Sequence, residues 1–144
     1  MKSRIRKEDQ IFSLCVRERS DWTCERCRTK FEERAQNLHC SHLYSRRYRS
    51  IRWHPLGAVA HCFSCHMWFG SNPIEAADWV RLYLGESKLD ELRSLVQTIC
   101  KTTQKDRDRI YQNLCHQHGR MKQMRADGVT GRIEFDSPYE MEAA

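Results

Sequence analysis

No stretch of this chain approaches the roughly 18 consecutive apolar residues of a membrane-spanning helix, so none is expected. A secretion signal is also lacking: Met1 is followed by Lys2, Ser3, Arg4, Ile5 and Arg6 rather than by an apolar core. The expected setting is therefore a reducing cytoplasm, where paired cysteines bind metal instead of forming disulfides. There is no internal repeat and no low-complexity tract, and 144 residues suit a single domain. The most local absence is of acid. From Arg34 through Ile74 there is no Asp or Glu, while His39, His42, His54, His61 and His66 and Arg34, Arg46, Arg47, Arg49 and Arg52 all fall in that stretch.

What is present points the same way. Lysine and arginine total 25 against 19 acids, a net charge of +6, which suggests a polyanionic partner. Tyr44, Tyr48 and Trp53 alternate with the arginines, and a basic, aromatic, acid-free segment suits a phosphate backbone, hence DNA. Apolar residues make up 40% and charged residues 31%, which implies a small core with long exposed helices, so a metal would compensate for limited buried area.

Eight cysteines are present. Four of them form two Cys-x2-Cys knuckles, Cys24-Glu-Arg-Cys27 and Cys62-Phe-Ser-Cys65. Each knuckle offers two thiolates at one corner of a tetrahedral ion, so the pair predicts one structural Zn²⁺. Cys15, Cys40, Cys100 and Cys115 lack matched spacing and read as small core residues. Cys115-His116-x-His118 resembles a metal tract, but on a helix these side chains diverge.

Lys7 to Arg19 reads as an amphipathic helix with Ile11, Leu14 and Cys15 on one face. Leu38 to Leu43 and Ala58 to Cys62 read as strands, with Pro55-Leu56-Gly57 as a turn before the second. A helix follows from Phe63 to Phe69, so strand, irregular basic loop, strand and helix make a ββα unit. Asn72 as N-cap, Pro73 and Glu75 open a further helix that ends at Gly85. Ser87 with Asp90 opens another, carrying Leu92, Val96 and Ile99. Thr103 with Asp106 opens a third, carrying Ile110, Leu114 and Met121 and ending at Gly128 and Gly131.

Phosphodiester hydrolysis needs a base to take a proton from water and a cation to offset the charge that grows on the phosphoryl and departing oxygens. An imidazole titrating near neutrality suits the first task. His42 on the first strand and His66 on the following helix stand at the two ends of the insert, and the two imidazoles are expected to converge on one scissile phosphate. His39 and His61 share a hairpin face, and their order in the sequence gives neither a role.

The run Leu38-His-Cys-Ser-His42, then Arg52-Trp-His-Pro55, then Cys62-Phe-Ser-Cys-His66, resembles the HNH, or His-Me finger, nucleases. With Gly70-Ser71-Asn72 it is most similar to the phage Rap/NinG recombination nucleases. The resemblance covers about Asp21 to Leu95. It implies an α+β protein with a zinc-braced ββα-metal, treble-clef-like core. That divides the chain into an N-terminal helix (1–20), a nuclease core (21–86), a helical extension (87–128) and an acidic, mobile tail (129–144). It implies His42 as general base, His66 as ligand of a catalytic divalent cation such as Mg²⁺ or Mn²⁺, and Asn72 as a further ligand through its amide oxygen. Asn72 as a plain helix cap is the competing reading. Arg46, Arg47, Arg49 and Arg52 would hold the DNA, branched or recombination-intermediate in form, in the cytoplasm of a bacterial host, with two chains pairing through the C-terminal helices as an option. Two departures stand out. Many relatives carry a metal-ligating acid before the base histidine, where this chain has Ser41, and an asparagine that orients the base, where it has Gly57. These departures favour an alternative: a zinc-stabilised DNA-binding module without catalysis.

Overall fold

The computed structural model describes residues 4–139. The order is α1 (Lys7–Arg19), β1 (Leu38–His42), a 3-10 turn (Pro55–Gly57), β2 (Ala58–Cys62), α2 (Phe63–Ser71), α3 (Pro73–Leu84), α4 (Glu86–Gln97) and α5 (Gln104–Ala126). This is an α+β fold whose one sheet is the antiparallel pair β1–β2, in the register Leu38↔Cys62 to His42↔Ala58. Among the described residues no helix is long and apolar enough to cross a membrane.

Local chemistry sets most helix ends. The Asp9 carboxylate accepts the Arg6 N–H at the start of α1, 2.7 Å away. At α5, Thr103 Oγ1 accepts the Asp106 N–H and Asp106 returns the bond to the Thr103 N–H, a reciprocal cap. Proline opens α3, and Gly85, at φ +81°, separates α3 from α4. The last helix but one therefore starts at Glu86 rather than at Ser87, and Ile99 lies beyond its end, exposed.

The core forms where α1 is covered twice, by the hairpin and by α5, which runs alongside it in the same direction. Phe12, Cys15 and Val16 are wholly buried there with Leu38, Trp53, Ile110, Leu114 and Met121. The buried stripe of α1 is thus turned toward Phe12 and Val16, with Ile11 and Leu14 at its margin. Cys15 is a core residue, its Sγ facing the Leu114 carbonyl at 3.6 Å. The stripe Ile110, Leu114 and Met121 is buried inside the chain and is not a surface for pairing two chains.

The segment after α5 corrects the expectation of a mobile tail. Ile133 and Phe135 are 4% and 3% exposed and belong to the same core. The Ile133 N–H donates to the Arg19 carbonyl, and Gln117 exchanges two hydrogen bonds with the Asp136 backbone. Acidity misleads here, because Ile133, Phe135 and Tyr139 alternate with the polar residues and anchor the segment. Residues 140–144 of the expected tail lie outside the described residues.

Candidate functional site

The first knuckle lies against the outer edge of β2. The Glu25 N–H donates to the Ala60 carbonyl, and Glu25 Oε2 accepts the Ala60 N–H. These contacts bring Cys24 and Cys27 to Cys62 and Cys65, where β2 turns into α2. The four sulfurs lie within 4.8 Å of one another. Sulfurs about 2.3 Å from a tetrahedral zinc lie about 3.8 Å apart, and Cys27 Sγ and Cys62 Sγ are separated by 3.7 Å. All four are free thiols. Hydrogen bonds from the Thr29 hydroxyl and N–H bring the Cys27 thiol down to about 6, toward the ligating thiolate. The Arg26 guanidinium lies 3.5 Å from Cys65 Sγ and over the Trp68 ring, offsetting the negative charge of a thiolate cluster. The donor set and spacing fit one structural zinc, as the sequence suggested. It is the one group of three or more such ligands among the described residues, so the Cys115–His118 tract forms no site there.

The two histidines are not brought together as expected. Successive residues of a strand point to opposite faces. The His42 ring turns toward α1, with its centroid 5.9 Å from that of Phe12. Ser41 turns toward α2, where its Oγ lies 3.1 Å from His66 Nδ1. His42 therefore faces α1 while His66, on α2, meets the opposite face of β1, and the expected convergence of these two imidazoles in one cleft is corrected. It is residue 41 that meets residue 66.

His42 lines an open cavity of about 650 Å³ between α1 and β1, together with Asp9, Arg17, Arg34, His39 and Arg46. Its Nε2 lies 3.3 Å from the Arg52 carbonyl. A carbonyl only accepts, so the proton sits on Nε2 and Nδ1 is left as the basic nitrogen. Burial lowers the His42 pKa, against the opposing pull of the Arg52 carbonyl and Asp9, so the ring is neutral at pH 7. The Arg52 carbonyl is the hydrogen-bond partner that fixes the ring's orientation. Gly57 has its own structural reason: a Cβ there would lie 2.7 Å from the Ile51 carbonyl oxygen.

His39, which reaches the edge of the same cavity, lies beside His66, with ring centroids 5.2 Å apart. His66 is lowered by partial burial and then by His39. His61 stands opposite His39 in the register, wholly buried between Phe69 and Trp79. Neither of its ring nitrogens has a partner among the described residues, and burial pushes its pKa down to about 4. Asn72 sits six positions beyond His66, about 9 Å along a helix. Its Nδ2 donates to the Trp68 carbonyl at the end of α2, so the structure keeps it at the α2–α3 junction, apart from His66.

The arginines divide. Arg52 is 4% exposed and bidentate to Asp9, with Nε–Oδ1 2.9 Å and Nη2–Oδ2 2.7 Å, so it is corrected from a DNA contact to a buried structural residue. Arg46 lies 3.6 Å from the same carboxylate at the cavity rim. Arg49 donates to Thr102 Oγ1. Arg47 is exposed and donates to the Tyr48 hydroxyl. Arg17 and Arg34, which the sequence reading left out of the DNA contacts, line the cavity with His42. The spacing of Gln10, Ser13 and Arg17 along α1 is the signal for that polar face. Comparison with known protein families, curated proteins and solved structures finds no match.

Proposed function

We propose that the chain is a metal-dependent DNA endonuclease of the HNH type. The reading rests on one arrangement: on a cysteine-braced ββα unit, the Ser41–His66 pair flanks β1 on one side, and the carbonyl-held, neutral His42 flanks it on the other. In-line displacement at phosphorus has the attacking water and the departing oxygen on opposite sides. A base and a cation that flank the phosphate suit that geometry, so the substrate strand lies along the free edge of β1. His42 Nδ1 takes the proton from water. His66, with Ser41 beside it, would hold a divalent cation, which would supply positive charge to offset that on the phosphoryl and leaving oxygens. Arg17, Arg34 and Arg46 in the cavity wall hold the neighbouring phosphates. The likeness to phage recombination nucleases makes branched DNA in a bacterial cytoplasm the substrate of choice.

Plasmid nicking with added divalent ions tests this. Wild type cuts, and His42→Ala keeps fold and DNA affinity while losing cleavage by at least a hundredfold. A second reading, a zinc-stabilised DNA-binding module, is favoured by the opposite facing of His42 and His66 and by Ser41 in place of an acid. Under it both proteins bind DNA and neither cuts.

A further inference from the structure

We infer that His39 and His66 together form a second cation site, separate from the four cysteines, which takes a first-row transition ion such as Co²⁺, Ni²⁺ or Zn²⁺ in preference to Mg²⁺. His39, which the sequence left without a role, is the new ligand. The inference deepens the nuclease reading by naming the ion class, and rests on it only for the ion's part in cleavage.

Geometry carries it. An imidazole nitrogen about 2.1 Å from a metal puts the ring centroid about 3.2 Å from the ion, so two rings at the tetrahedral angle have centroids about 5.2 Å apart. The His39 and His66 centroids are 5.2 Å apart, with the rings inclined at 54°. Ser41 Oγ engages His66 Nδ1, which leaves Nε2 as the nitrogen open to an ion. Metal-bound histidines characteristically use their second nitrogen in this way, and the bond fixes the ring. Both rings are half-buried and so within reach of solvent. His39 also packs edge-on against Phe63, ring centroids 6.0 Å apart, and stands opposite the buried His61 in the strand register.

The donors decide the ion. Two neutral imidazoles and a hydroxyl contain no carboxylate, and no third His, Cys, Asp or Glu joins them at ligand distance among the described residues. Mg²⁺ prefers oxygen donors in an octahedron and gives up its water reluctantly. Imidazole suits Zn²⁺, Ni²⁺ and Co²⁺. Two protein ligands leave several coordination positions to water or to DNA phosphate oxygens, so the ion binds more tightly when DNA is present.

The test is calorimetric titration of Co²⁺ into the zinc-loaded full chain. One Co²⁺ binds without the sulfur-to-cobalt absorption that entry into the cysteine cluster would give, and Mg²⁺ gives no binding. His39→Ala and His66→Ala each weaken Co²⁺ at least tenfold, and His42→Ala leaves it unchanged. His39→Gln, with zinc content and far-ultraviolet dichroism unaltered, gives the same loss in a folded protein. Wild-type Co²⁺ affinity in both His39 variants overturns the inference. Binding in the expected pattern without cleavage of any DNA upholds the site and rejects the nuclease. Cleavage that runs on Mg²⁺ and ignores His39→Ala rejects this ion's part in cleavage and upholds the nuclease.

Discussion

Asp9 is the residue on which the His42 face of the hairpin is built. Its carboxylate accepts from the Arg6 N–H at 2.7 Å, from Arg52 Nε and Nη2 at 2.9 and 2.7 Å, and from Trp53 Nε1 at 2.9 Å. Burial pushes the Asp9 pKa up, but the bonds from Arg52, the Arg6 N–H and Trp53 outweigh it, and the net direction is down. Asp9→Ala leaves the guanidinium of Arg52, 4% exposed, without its counter-charge. Breaking one partner of such a buried pair costs about 3–5 kcal/mol, a fifth or more of the roughly 5–15 kcal/mol that holds a typical domain. With a urea m-value of about 2 kcal/mol/M, the unfolding midpoint falls by about 2 M. Because the Arg52 carbonyl holds His42, the proposed nuclease would also lose nicking activity beyond what the unfolded fraction explains. The double variant Asp9→Leu with Arg52→Met is more stable than Asp9→Leu alone, since the cost lies in the stranded charge and not in the lost contact. A midpoint shift under 0.5 M for Asp9→Ala, or no recovery in the double variant, refutes this account.

Three other outcomes follow from particular residues. His61 and His54 are both buried with pKa values down to about 4, chiefly through burial. The unfolded chain therefore binds more protons between about pH 4 and 6.5, so their contribution is complete above about pH 6.5 and falls by about 3 kcal/mol for each histidine as the pH drops toward 4. Comparing urea midpoints of wild type and His61→Phe at pH 7.5 and 5 isolates this effect, since thiolate protonation is common to both; equal pH dependence contradicts it. Phe135→Ala costs about 3–5 kcal/mol in the same assay because the ring is a core member beside Phe12, whereas a mobile tail would lose under about 0.5 kcal/mol. Arg47→Ala leaves stability unchanged and, if the proposed DNA reading holds, reduces the salt dependence of DNA binding by about one phosphate contact; Arg52→Ala instead lowers the unfolding midpoint.

The parts of the fold that the sequence predicted well are those fixed by neighbours in the chain. α1 spans Lys7–Arg19 and β2 spans Ala58–Cys62, the ranges that periodicity and the Pro55–Gly57 turn imply. The Thr103–Asp106 box opens α5, because its two bonds join residues three apart. The cysteine cluster was legible for a similar reason, since each knuckle is a local motif and only the pairing of the two is long-range. The tail was misread because its partners, Arg19, Gln117 and the core around Phe12, lie far away in sequence.

The site failed at two places that share a physical origin. An acid-free run of sequence is not an acid-free surface. α1 delivers Asp9 to the segment 34–74, and its carboxylate binds Arg52 and approaches Arg46, so part of the apparent basic charge is neutralised before any partner arrives. The facing of His42 against His66 follows from the strand period once one contact of β1 with α2 is known. If residue 41 meets the helix that carries His66, residue 42 leaves on the other side. That same alternation sets His39 and Ser41 on the His66 face and adds the ring at position 39 to it. The face then has two imidazoles and a hydroxyl where the resemblance supplies an acid. A strand two residues out of phase would keep this division, but a slip by one would send His42 to the α2 face and His39 to the core. The core prevents the slip, because Leu38, 1% exposed, would then have to face away from it.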